Sequence, residues 1–147
     1  MNGQGRLAAI IDLVLPATCV GCGTGRASTL CPACVEVLAA ARPRATRPAP
    51  SPAGLPATSA LGAYSGVLRG TILAYKERGR HTAAGMLGAH LATVVAHALP
   101  TVGPVLVVPV PATAAAVRRR NGDHMLRLAR AAARTLRRRG LAARVVR

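Results

Sequence analysis

Apolar positions recur along this chain with periods that predict most of its elements. Leu7, Ile10, Ile11 and Val14 fall at i, i+3, i+4 and i+7, the stripe of a short amphipathic docking helix. Pro32 to Ala41 predicts a second helix, opened by proline at its first position. Leu61 to Tyr64 reads as an edge strand. From Gly66 onward Leu68, Ile72 and Tyr75 repeat with helical spacing, Arg69, Lys76 and Arg80 occupy the opposite face, and Gly79 supplies the stop. His81 to Leu99 predicts a helix with Leu87, Leu91, Val94 and Ala98 on its apolar face and with Gly85 and Gly88 permitting close packing. Pro104 to Val108 is a continuous apolar run of the kind found in strands buried on both faces, and Pro109 and Pro111 end it because proline has no N–H for a ladder.

The strongest pattern lies between Asp123 and Arg139. At about 100° per residue Met125, Leu128, Ala129, Ala132, Ala133 and Leu136 share one side of a helix, and Arg127, Arg130, Arg134, Arg137 and Arg138 share the other. Asp123 suits the N-cap, Gly140 the stop, and Ala143 to Arg147 the start of another strand. Between these patterned segments, residues 42–59 carry Pro43, Pro48, Pro50, Pro52 and Pro56 with little apolar periodicity, which predicts a semi-rigid, polyproline-like linker. Three regions follow: 1–41, an N-terminal helix and cysteine module; 42–59, the linker; and 60–147, an α/β unit.

Composition changes this picture in two ways. The chain has 147 residues with two tyrosines and neither phenylalanine nor tryptophan, so its core must be built from Ala, Val, Leu and Ile, and base-stacking platforms are scarce. Its net charge is +16, and Lys76 is the only cation besides arginine and histidine. That excess suits nucleic acid or an acidic ligand, and equally a general bias toward arginine and alanine. No apolar run is long enough to span a bilayer. The Leu7–Leu15 stretch is interrupted by Asp12 and makes a poor signal core, so the expected location is the cytoplasm, with no membrane contact.

In that compartment paired thiols serve more often as metal ligands than as disulfides. The four cysteines fall as Cys19-x-x-Cys22 and Cys31-x-x-Cys34, two knuckles able to present four thiolates to one zinc ion. Two disulfides, or free buried thiols, are the competing readings. With all four positions filled the zinc would be structural. His90 and His97, seven apart, lack the spacing of a helical metal pair. Arg118, Arg119 and Arg120 lead through Gly122 toward a helix N-terminus just beyond the strand, where a basic loop and unpaired N–H groups attract anions. Asp12, Glu36, Glu77 and Asp123 are scattered, with no adjacent acidic pair.

The V-P-V-P of Val108 to Pro111, the Arg-rich turn after it and the L-A-x-x-x-A of Leu128 to Ala133 resemble the ComF/GntX family of competence-associated, phosphoribosyltransferase-like proteins. The repeated C-x-x-C and the segment Tyr64 to Arg80 agree with it in order and spacing, so the resemblance runs from Cys19 to about Leu128. It implies a type I phosphoribosyltransferase-like α/β sheet preceded by a small four-Cys zinc module. It also implies transfer at C1 of phosphoribosyl pyrophosphate with Mg²⁺, and partners in DNA uptake, single-stranded DNA or competence proteins among them. By the same resemblance Lys76 and Arg80 lie near the substrate, and Arg118, Arg119, Arg120 and Gly122 belong to a pyrophosphate loop. Two departures stand out. Arg120-Asn121-Gly122-Asp123-His124 replaces the family's R-G-F-N-Q, and the later D-D-x-x-T-T-G loop has no counterpart. The sheet is therefore expected to be incomplete, the chain to be inactive alone, and its open edge to favour self-association. The alternative is a non-catalytic, zinc-containing module that binds nucleic acid or protein.

Overall fold

The computed structural model describes residues 18–25, 27–99, 103–119 and 122–146. The predicted helix around Leu7 to Val14, together with Arg120, lies outside the described residues. The elements, in order, are α1 (Pro32–Ala40), β1 (Arg44–Thr46), β2 (Thr58–Ala60), α2 (Gly66–Glu77), a 3₁₀ turn (His81–Ala83), α3 (Ala84–Ala98), β3 (Val105–Val107), α4 (Ala114–Arg119), α5 (His124–Arg138) and β4 (Ala143–Val145).

Helices α3 and α5 form the central pair. Their contact is made of small residues: a Cβ on Gly88 would sit 2.5 Å from the Cβ of Ala131 and 2.9 Å from the backbone of Ala131 and Ala132. Ala92, Ala132, Ala133 and Leu136 are fully enclosed nearby, as a core without large aromatics requires. Leu87 at one end of α3 belongs to a cluster with Val20, Ala74 and Tyr75, and Ala92 further along belongs to a second cluster with Val105, Leu136 and Ala143. The pair thus joins the cysteine region to the sheet.

The predicted close packing at α3 is half correct. Gly88 meets α5, but a Cβ on Gly85 would meet nothing within 4 Å, and Ala98 is exposed while Ala92 takes the buried position. Gly85→Ala should therefore gain close to the intrinsic helix-propensity difference of about 1 kcal/mol. Gly88→Ala should lose about 1–3 kcal/mol to overpacking. Urea unfolding of the two variants checks this, and equal midpoints would contradict the packing described.

Strand β3 pairs in parallel with β4, Val105 opposite Ala143 and Val107 opposite Val145. The crossover between them runs through α4 and α5, which makes a βαβ unit as the period change in the sequence predicts. Val105 and Ala143 face the helices and are buried, whereas Leu106, Val108 and Val110 are 64%, 67% and 71% exposed. Asp123 caps α5 as expected, its carboxylate accepting the Leu126 N–H at 2.9 Å.

Three expectations need correction. The stretch 42–59 does not merely separate two parts: Arg44–Thr46 and Thr58–Ala60 pair antiparallel, and the Thr58 hydroxyl donates to the Thr46 carbonyl. Its prolines are confined to the ends and the loop, where no ladder N–H is needed. The edge strand expected at Leu61 to Tyr64 lies just upstream, as β2. The basic stretch after β3 is not all loop, because Ala114–Arg119 is helical, with the Thr113 hydroxyl accepting the Ala116 N–H at 3.2 Å.

Candidate metal centre and basic helix face

The first cysteine pair sits on a tight turn. Gly23 N–H donates to the Cys19 carbonyl at 2.9 Å, and Gly23 itself has φ +78°, a conformation that glycine adopts without strain. The second pair straddles the start of α1: Cys31 is its extended N-cap residue, Pro32 fixes the first turn, and Cys34 points inward. The four sulfurs lie within 4.8 Å of one another. None is in a disulfide. A tetrahedron of thiolates around zinc at about 2.3 Å has edges of roughly 3.8 Å. The Cys22 and Cys31 sulfurs are 3.9 Å apart, so the donor set fits such an ion.

Their electrostatics are uneven. Burial opposes ionisation of Cys19, but the backbone N–H groups of Cys22, Cys31 and Gly21 outweigh it and hold its thiol at about 6. Hydrogen bonding to the Thr24 hydroxyl, 3.0 Å away, lowers Cys22. Burial and the neighbouring sulfurs push Cys34 up to about 12. A divalent cation supplies the charge needed to make all four thiolates at neutral pH, which is why metal binding at such a site expels protons.

The centre is built onto the helical body. A Cβ on Gly70 of α2 would lie 2.0 Å from the Gly21 carbonyl oxygen, so the knuckle backbone rests directly on that helix. Val20, 3% exposed, enters the cluster of Ala74 and Tyr75, and Leu30 packs against it. The Arg80 guanidinium donates to the Ser28 carbonyl at 3.1 Å and closes the contact. The sequence offered no sign of this docking, because only the tertiary contact distinguishes Gly70 from any other helical glycine.

Five of the expected anion contacts fall among described residues, and their surroundings differ. Lys76 lies 3.7 Å from Glu77 and lines an apolar cleft of about 470 Å³ with Leu68, Leu91 and Met125. Arg80 is bonded to the cysteine loop as above. Arg118 is exposed on α4, which Arg119 ends. Gly122, with φ +130°, makes room for a protein group: its missing Cβ would lie 2.8 Å from the Arg127 guanidinium. His124 is 7% exposed, with Tyr75 donating its hydroxyl to the His124 carbonyl at 2.6 Å. Burial lowers His90, helped by the charge of Arg139.

Opposite the core, α5 carries its arginines along a furrowed face. Asp123, Arg127, Arg130 and Arg134 line one concavity, and Arg130, Arg134 and Arg137 with Val145 line the next. Among the described residues no other cluster of potential metal ligands accompanies the cysteines, and no helix is long and apolar enough to cross a membrane. Comparison with models of known protein families, with curated proteins and with solved structures finds no match to this chain.

Proposed function

We propose that this chain is a phosphoribosyltransferase-like protein of the ComF kind, acting in the cytoplasm in DNA uptake, with a structural zinc ion at Cys19, Cys22, Cys31 and Cys34. The observation that carries the reading is the parallel pairing of β3 with β4 across a basic helical crossover. In open α/β sheets ligands bind beyond the carboxyl ends of the strands, and here that position is the V-P-V-P stretch leading into α4. Its role would be to bind a pyrophosphate group, with Arg118 as a charge partner. Self-association through the open edge of the sheet belongs to the same proposal.

Catalysis is not part of it. Phosphoribosyl transfer needs carboxylates for the ribose and for Mg²⁺, and the described ones are committed or isolated. Asp123 caps α5, Glu77 neighbours Lys76, and Glu36 projects from α1 outside any cluster of potential ligands. The described residues therefore do not fit a Mg²⁺ site. Without those contacts the reactive carbon is not oriented, which forfeits much of the roughly 7–11 kcal/mol that good positioning supplies.

Isotope-edited NMR during titration with pyrophosphate tests the binding part. Shifts should concentrate on the amides of residues 108–118, and a titration that leaves them unmoved would count against the reading. Incubation with phosphoribosyl pyrophosphate and Mg²⁺ tests the other part: enzyme-dependent pyrophosphate release would overturn the assignment of inactivity. The arginine face of α5 favours a second reading, a non-catalytic module for nucleic acid, in which that face contacts phosphates.

A further inference from the structure

The arginines of α5 are not equivalent. The Arg127 guanidinium is 2.8 Å from His81 Nδ1, Arg137 donates to the Ala143 carbonyl at 2.9 Å, and Arg138 donates to the Thr135 hydroxyl at 3.1 Å. Just past the helix, Arg139 donates to the Thr93 hydroxyl at 3.1 Å. Arg130 and Arg134 are exposed and make no such bond among the described residues. They lie one turn apart, a spacing that brings Cβ atoms to about 5–6 Å and makes like charges repel.

Both side chains border the same two adjoining concavities, of about 370 and 300 Å³. The outer walls of those concavities include Arg127 and Arg137, whose guanidinium groups are already held by the protein. Their charge is thus presented without further ordering of side chains on binding. The single carboxylate in the lining is that of Asp123, engaged with the Leu126 N–H at 2.9 Å. Four cations with one committed anion make a site for a multiply charged acceptor of hydrogen bonds. The planar fork of a guanidinium matches phosphoryl oxygens two at a time.

We propose that Arg130 and Arg134 form a clamp for a phosphoryl anion, framed by Arg127 and Arg137. The anion is supplied either by a nucleic-acid backbone or by free pyrophosphate. The clamp rests on and narrows the second reading above, naming which arginines of the α5 face bind, and it shares no residue with the pyrophosphate site at residues 108–118, so a failure there and a failure here are seen separately.

The test compares the full chain with Arg130→Gln/Arg134→Gln and with a charge-matched control, Arg44→Gln/Arg47→Gln, which alters exposed positions in and beside β1. Each is titrated into labelled duplex DNA at several salt concentrations, and with pyrophosphate in a calorimeter. The clamp variant should bind its ligand roughly tenfold or more weakly than the control. For DNA the slope of log affinity against log salt should fall by about two. Loss confined to DNA assigns the site to a nucleic-acid backbone, and loss confined to pyrophosphate assigns it to the free anion. Arg130→Lys/Arg134→Lys keeps the charge without the fork and should lie between. Equal behaviour of the clamp and control variants in both titrations, or no binding by the unaltered chain, would overturn the proposal. Circular dichroism melts confirm that the exposed substitutions leave the fold in place.

Discussion

Stripping the zinc proposed for the cysteine centre should destabilise the whole molecule and not only the loops that would hold it. Zinc binding to small four-ligand modules is worth roughly 10–16 kcal/mol in apparent free energy, most of it spent on folding. Here the knuckle carries Val20 into the same cluster as Ala74 and Tyr75. Once the sulfurs are released, that side chain loses its anchor and α2 loses a partner. We expect chelation, or Cys34→Ser, to cost several kcal/mol and to lower the thermal midpoint by roughly 10 °C or more at this chain length. Acid should act in the same direction. Cys34, pushed up to about 12, must surrender a proton to bind, so metal affinity falls as pH falls. Elemental analysis should find one zinc per chain. Two disulfides detected by mass after alkylation, or a melting curve indifferent to chelator, would refute this assignment.

Gly70→Ala should be nearly as disruptive, although it adds one methyl group. That methyl would have to occupy space 2.0 Å from the Gly21 carbonyl oxygen, and the atom it meets belongs to backbone, which cannot rotate away. The knuckle must lift from α2. We expect a loss of about 3 kcal/mol, the upper part of the range for overpacked interiors. Zinc should also become easier to remove, because lifting the turn moves Cys19 and Cys22 relative to Cys34. Urea unfolding measures the first effect, and the rate of zinc transfer to a colorimetric chelator the second. Lower stability with an unchanged transfer rate would show that the turn and the helix are not coupled in this way.

What was legible in the sequence follows from the range of the interactions concerned. The two C-x-x-C pairs announced a common centre because each pair is fixed by a local turn, and the order of Cys19, Cys22, Cys31 and Cys34 left one cluster to form. Helix α5 was equally plain, since alternating Ala/Leu and Arg faces over four turns have no other regular solution. The strands β3 and β4 followed from the Val105–Val108 run and the second apolar stretch beyond Gly140, whereas their parallel pairing is a tertiary fact that neither stretch states alone. Residues 42–59 hid their hairpin because prolines dominate the composition while only three residues on each side pair. The docking of Gly70 on Gly21 joins positions 49 apart and leaves no local trace. The arginine face looked uniform for the same reason. His81 and Ala143, which occupy two of its members, come from other elements.

The buried tyrosine has a spectroscopic consequence. With no tryptophan present, ultraviolet emission arises from Tyr64 and Tyr75 alone. Tyr64 is 57% exposed beside Arg69, whereas Tyr75 is 3% exposed, bonded to the carbonyl at the start of α5 and packed in the cluster that receives Val20. Burial raises its phenol above the ordinary range, so its ionisation is displaced toward more alkaline pH and alkaline difference absorbance reports its surroundings. This ring stands where the cysteine knuckle, α2 and α5 meet. The protein thus carries a built-in chromophore at its main junction, and a single optical trace can follow the joining of its two halves without any introduced label.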